Sequence, residues 1–184
     1  MQETGELLFA DYGVSGVCVL QLSGYAAQAL DEKKRVRLFV NLLPEISDIS
    51  AWLTQRMAAR PMDRALSLFT GVFPRLLAMA ILKHAGISPE AQISRLSAAQ
   101  TQALLEAVSA FPLPVTGTQG FKNAQVTRGG IHLDEVDPQS MASRLFDGLY
   151  ILGETLDVDG PCGGYNLHFA FASALTAAKA IASR

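Results

Sequence analysis

Charge is scarce in this sequence. Only 17% of its 184 residues are Asp, Glu, Lys or Arg, against an apolar share of 49%, a balance more hydrophobic than an average soluble domain. Some of that apolar surface is therefore expected to lie against a partner or a missing domain. The 15 basic and 17 acidic residues leave a formal charge of -2 with no long run of either sign, so the electrostatic footprint of a nucleic-acid or anionic-membrane binder is missing. Cysteine is almost absent. Cys18 and Cys162 stand far apart, and residues 1–9 lack the basic-then-apolar pattern of a signal peptide, which together imply a reducing, cytoplasmic setting. Long hydrophobic runs are missing too: the weakly charged stretch from Ala65 to Ile81 carries Arg75 and is broken by Gly71 and Pro74, so no membrane span is expected. There is also no G-x-G-x-x-G anywhere, which excludes from these residues the βαβ unit that grips a dinucleotide pyrophosphate.

The length fits one compact unit plus a tail with its own role. Glu6 to Phe9 reads as a short strand, Tyr12 to Gly16 as a turn, and Val17 to Leu30 as a largely apolar helix. Arg35 to Leu43 is a strand rich in Val, Leu and Phe, closed by Pro44. Four helical stretches follow, at about Ser47 to Ala59, Met62 to Phe69, Pro74 to His84 and Ala98 to Phe111, with Ser97 as an N-cap and Gly86 as a C-cap. Beyond Phe111 the grammar changes. Pro112, Pro114, Gly117, Gly120 and Gly129-Gly130 punctuate short β-type runs such as Ala124 to Thr127, and a domain boundary is expected here. Gly148 to Leu152 reads as a buried strand, and Tyr165 to Ser183 as a long helix whose many alanines permit close approach to a sheet or a second backbone. No internal repeat is present.

The stretch from Gly148 to Asn166, leading into that helix, has a strand, glycine loop, helix layout. Such a layout aims backbone N–H groups and the positive end of a helix dipole at whatever lies before Gly163 and Gly164, and glycines let a flat ring or a phosphate come close. Tight αβ packing uses the same glycines without a ligand, so both readings stand. Glu154, Asp157 and Asp159 could bind a polyol, hold a cation or lie in a solvated loop. An EF-hand starting at Asp157 fails, because its sixth position is Cys162 and its twelfth His168. Cys162 has no CxxC partner and reads as a loop residue. His84, His132 and His168 are dispersed, with no metal-ligand spacing. Arg128-Gly129-Gly130 could present a cation and flexible backbone to a cofactor, or form an ordinary turn.

An ordered series of motifs goes further. Val126-Thr-Arg-Gly-Gly-Ile131, Glu135-Val-Asp-Pro138, Met141, Ser143, Leu145, Gly148-Leu-Tyr150, Gly153-Glu154, Leu156-Asp-Val-Asp-Gly160 and Gly163-Gly-Tyr-Asn-Leu167 together resemble the C-terminal signature of the BaiN-like NAD(P)/FAD-dependent oxidoreductases, also called aminoacetone oxidase family flavoproteins. Gly5-Glu-Leu-Leu-Phe9, Tyr12-Gly-Val-Ser-Gly16 and Leu20-Gln-Leu-Ser23 resemble the insert domain of the same family.

The resemblance implies an α+β chain. Residues 1–125 would be an insert domain with a helical part and a small β-barrel-like sheet, and residues 126–184 a C-terminal strand-loop-helix segment that completes a Rossmann-type FAD domain. It implies FAD as cofactor, NAD(P)H as a reductant and a small-molecule substrate, and it makes the missing N-terminal FAD-binding domain the main partner; surface meant for that domain could otherwise self-associate. The cofactor-facing residues would be Arg128, Gly129, Gly130, Gly153, Glu154, Asp157, Gly163, Gly164, Tyr165, Asn166 and Leu167. Within that set, Gly153-Glu154 would approach the ribityl and pyrophosphate region and Gly163 to Leu167 the isoalloxazine ring. No side chain is an evident catalytic acid or base. Two departures from the family pattern, His168 in place of glutamine and Leu152 in place of a smaller residue, bear on the shape of the flavin pocket. The alternative is a non-enzymatic interaction module whose apolar surface meets a partner protein.

Overall fold

The computed structural model describes residues 1–183. Among them the chain is α+β, with five α-helices and two two-stranded antiparallel sheets. In chain order these are β1 (Leu8–Ala10), β2 (Gly13–Ser15), α1 (Val17–Asp31), β3 (Val36–Val40), α2 (Ile49–Ala59), α3 (Arg75–His84), α4 (Ala98–Ser109), β4 (Phe111–Val115) and α5 (Tyr165–Ala182). The chain divides into two compact units. One is residues 36–115, and the other joins residues 1–35 to the chain from 116 onward.

The 36–115 unit is a helical body with its own closed core. Leu53, Leu68, Phe69, Ile81, Leu82, Ile93, Leu104 and Val108 are almost fully buried together, the largest favourable contribution to its stability. Its helix ends are fixed locally. Asp48 Oδ1 accepts from the Ala51 amide at 2.8 Å to start α2. Ser97, the expected N-cap, forms a reciprocal capping box with Gln100 at α4. At the end of α3, Gly86 takes a positive φ, its amide donates to the Lys83 carbonyl and the Ile87 amide to the Leu82 carbonyl. This is the pair of hydrogen bonds of a Schellman ending, and the buried Leu82 and Ile87 accompany it.

Two expected helices differ. Met62 to Phe69 is a short 3-10 helix over Ala65–Phe69, because the amides of Ala65 and Leu66 donate to the carbonyls of Ala91 and Pro89 instead of continuing a local ladder. Its C-terminal carbonyls are taken by arginines: Arg56 bonds the Leu68 and Thr70 carbonyls and Arg60 that of Ser67. The Arg56 guanidinium also lies 5.1 Å from the centre of the Trp52 ring. The helix expected from Ala98 to Phe111 ends at Ser109, and Phe111 begins β4. There Pro112 and Pro114, read from sequence as turn punctuation, stand opposite Phe39 and Arg37 of β3. Alternate positions of a two-stranded ladder point their N–H away from the partner, so proline fits at both without losing a bond.

In the other unit, Tyr12 to Gly16 is not simply a turn. Gly13–Ser15 pairs with Leu8–Ala10 as a hairpin, and Gly16, at φ 118°, hands the chain to α1 where a Cβ would sit 2.2 Å from the Glu6 carbonyl oxygen. Ala124 to Thr127 forms no strand, and Gly148 to Leu152 is reduced to a single bridge between Tyr150 and Ala142. A strand persists only where a neighbour satisfies its backbone over several residues; among the described residues 124–127 makes no ladder, and 148–152 pairs only briefly with 141–143, the Ser143 amide donating to the Leu149 carbonyl and the Ile151 amide to the Met141 carbonyl. The core here is small: Val136, Met141, Ile151, Leu156 and Ala177. Met141 holds a left-handed φ of 60° because an Asp137 turn precedes it. The Asp137 carbonyl accepts the Met141 amide at 2.7 Å, and the Asp137 carboxylate accepts the Ser140 hydroxyl and the Gln139 amide.

Ser97→Ala should lower stability by about 1 kcal/mol, read from denaturant unfolding. The Ser140 hydroxyl, followed by the Gln139 amide, holds the Asp137 carboxyl below its ordinary value. A carboxyl depressed in the folded state adds stability above its unfolded-state value, and that stability is lost as pH falls through the folded-state value. Ser140→Ala should therefore flatten the acid limb of a stability-versus-pH curve while leaving its alkaline limb in place.

Candidate functional site

The sequence-derived candidates gather around the first turns of α5, and glycine makes the gathering possible. Gly130 and Ile131 run parallel to residues 155–157: the Ile131 amide donates to the Thr155 carbonyl at 2.9 Å, and the Asp157 amide to the Ile131 carbonyl at 3.0 Å. A Cβ on Gly130 would lie 2.6 Å from the Leu156 carbonyl carbon and 2.7 Å from the Thr155 oxygen. The approach is thus open to glycine alone. Gly153 starts a 3-10 turn, Gly153–Thr155, directly after the stretch expected as a strand. Its amide donates to Ser173 Oγ at 3.0 Å, and a Cβ on it would stand 3.2 Å from the Cβ of Ala170. The small residues of α5 therefore serve close contact with this turn, with Ser173 and Ala177 as the buried positions of the helix.

A second loop, residues 157–164, leads into the helix. Asn166 closes it: its Oδ1 accepts the Gly160 amide at 2.7 Å and its Nδ2 donates to the Gly160 carbonyl at 3.0 Å. Both ends of that amide are committed to the loop. Gly163 and Gly164 take φ of 124° and 92°, a region that excludes most side chains. No side chain caps α5, so its first-turn amides remain available to an external acceptor. Gly163, Gly164, Tyr165 and His168 line an open depression of about 270 Å³, room for a ring edge and less than the volume that usually encloses a whole ligand. Glu154, Asp157, Tyr165 and Leu167 are exposed.

Arg128 is held on the flank. Its guanidinium lies 3.9 Å from the centre of the Tyr25 ring and 3.6 Å from an Asp159 carboxylate oxygen. Gly24 has no Cβ to meet the Arg128 Cδ, which would then stand at 3.3 Å. Gln21 Oε1 accepts the Cys162 amide at 2.9 Å. Helix α1 thus contributes Gln21, Gly24 and Tyr25, to which sequence reasoning gave no role. The signals in the sequence are their i, i+3, i+4 spacing on one helix face and the place of Gln21 in the Leu20-Gln-Leu-Ser23 motif. Gly129 takes a positive φ with open space around it. The other two histidines lie apart from this cluster in the chain: His84 is exposed against the Phe111 ring, 5.2 Å between centres, and His132 is exposed.

One face of α5 is bare. Leu167, Phe171 and Leu175, at successive i, i+4 positions, are 68%, 72% and 63% exposed, an apolar stripe of the kind that meets a partner surface. Along α1, no residue is fully buried. No helix among the described residues is long and apolar enough to cross a membrane.

Comparison with known proteins matches residues 1–126 to a family described as HI0933-like protein barrel and H2TH domain. Across its whole length the chain is 38% identical to a 3-dehydro-bile acid delta(4,6)-reductase of Clostridium scindens, covering 45% of that protein. It is also similar to two proteins named ribosomal RNA dihydrouridine synthase. One, from Escherichia coli, is 32% identical over 94% of this chain and 41% of the relative, and the other, from Haemophilus influenzae, is 29% identical over 96% of this chain and 42% of the relative. The chain therefore spans less than half the length of the curated relatives it matches.

Gly130→Ala should destabilise the protein by about 1–3 kcal/mol through overlap with the 155–157 backbone. Gly117→Ala, where a Cβ meets nothing within 4 Å, should change stability by no more than about 0.5 kcal/mol. Parallel thermal unfolding of the two variants checks the contrast.

Proposed function

Because this chain belongs to the HI0933-like flavoprotein family, we propose that it is part of a flavin-dependent oxidoreductase, in which it supplies the insert and the flavin-facing loop and helix. The observation that carries this reading is the open glycine turn at the head of α5, where Gly163 and Gly164 present bare backbone beside uncapped first-turn amides. That arrangement suits the electron-rich pyrimidine edge of a reduced flavin. FAD would supply hydride or electron transfer when bound, with NAD(P)H as the reductant.

In this reading Gly163, Gly164, Tyr165, Asn166 and Leu167 border the isoalloxazine ring. Gly153 and Glu154 border the ribityl and pyrophosphate region. Gly129, Gly130 and Asp157 form the backbone ledge beneath them, and Arg128 serves the site through the loop it holds. Residues 1–125 act as the insert and 126–184 as the returning segment. The N-terminal dinucleotide-binding part of the parent covers the Leu167, Phe171 and Leu175 stripe, which is why the larger unit has the smaller core. We take the setting to be the cytoplasm.

A small-molecule substrate fits the helical unit better than a nucleic acid does. Arg56 and Arg60 are spent on backbone carbonyls and Arg64 pairs with Glu90, leaving fewer free cations for phosphates.

Mass and visible absorbance of the protein isolated from its source test the proposal together. A mass well above 19.7 kDa with flavin absorbance is expected, and Gly164→Leu should strip the flavin, because an L side chain is strained at that φ and would enter the ring's space. A colourless 19.7 kDa protein would instead favour the interaction module. Unchanged flavin content in Gly164→Leu would move the site elsewhere.

A further inference from the structure

We propose that one face of α1 is a positioning device for the flavin-facing loop, with Gln21, Tyr25 and Arg128 acting on residues 159–164 from outside the ligand's reach; the inference rests on the flavin reading above. Three contacts converge. The Tyr25 ring carries the Arg128 guanidinium at 3.9 Å, Arg128 pairs with Asp159 at 3.6 Å, and Gln21 accepts the Cys162 amide at 2.9 Å. They grip both halves of the loop, one residue before Gly160 and one residue before Gly163. Gly24 is part of the device, since a Cβ there would stand 3.3 Å from the Arg128 Cδ and crowd it.

The loop has little else to hold it on this side. The Asn166 amide fixes Gly160 from the α5 end, but that bond ties the loop to its own helix and does not fix where the pair points. Gly160, Gly163 and Gly164 bring conformational freedom that must be restrained for the bare backbone to face a ring in one orientation. α1 provides the restraint through a long-range cation–π contact, an ion pair and a backbone-to-side-chain bond. All three lie within one unit of the fold. A segment ahead of the helical body thereby sets the geometry of a loop more than a hundred residues later.

The experiment uses the whole flavin-loaded protein. Tyr25→Leu, Arg128→Met and Gln21→Met are compared with Tyr25→Phe, which keeps the ring face. Amide hydrogen exchange over residues 159–164 reads the loop directly, while flavin retention on dilution and the flavin midpoint potential read the consequence. The first three variants should raise exchange by about two- to fivefold, the range expected for losing a cation–π contact between partly exposed groups or a single hydrogen bond. They should also shed flavin faster and shift the potential negative, since the reduced ring loses a well-placed amide partner. Tyr25→Phe should match the parent in all three readouts. Unchanged exchange would overturn the positioning role, and raised exchange with flavin retention and potential unmoved would overturn its link to the ring while leaving the flavin assignment intact. A wild-type protein that is colourless would sink the flavin reading and this inference with it.

Discussion

The parallel approach of Gly130 and Ile131 to residues 155–157 is the constraint on which the unit holding the candidate site depends. Two short backbone bonds join the two segments, and the absence of one Cβ permits them. Once that ledge forms, Leu156 is buried beside Val136, Met141 and Ile151, the 153–155 turn is pressed against Ala170 and Ser173 of α5, and the 157–164 loop has a fixed origin. The glycine loops of this unit are therefore not equivalent. Gly130 and Gly153 are required by packing, whereas Gly163 and Gly164 leave open space where packing would have allowed a side chain.

The two units solve stability differently. The helical body closes its own core and finishes its helices with an Asx cap, a capping box and a Schellman ending, and it satisfies the end of its 3-10 helix with arginine donors. The other unit buries few apolar side chains, keeps a left-handed methionine inside its core and leaves apolar helix surface bare. That division accounts for the composition. A chain this poor in charge directs several of its cations inward, to carbonyls, a ring and a carboxylate, and presents a hydrophobic face outward.

Much of the helical body was legible in the sequence because its signals are local. Ser97, Gly86 and the apolar spacing of α3 and α4 each act within a turn or two of themselves. The family was legible for a related reason: its motif series records close backbone approaches, such as Gly130 on Leu156, that no other residue type can make. What could not be read was long-range. The 3-10 helix at Ala65–Phe69 depends on carbonyls more than twenty residues away, β4 exists because β3 lies beside it, and of the two runs with strand-like composition 124–127 forms no ladder among the described residues while 148–152 pairs only briefly with 141–143. The contribution of α1 is of the same kind. Gln21 and Tyr25 acquire meaning only when Arg128, Asp159 and Cys162 return to them.

The stack of Arg56 on Trp52 has a spectroscopic corollary. Trp52 is the sole tryptophan of the sequence and belongs to the helical body, so the intrinsic indole emission of these residues reports that body alone. Tyrosine, by contrast, occurs at positions 12, 25, 150 and 165, all in the other unit. Each unit thus carries its own natural chromophore, and the two can be followed independently in one cuvette without a label.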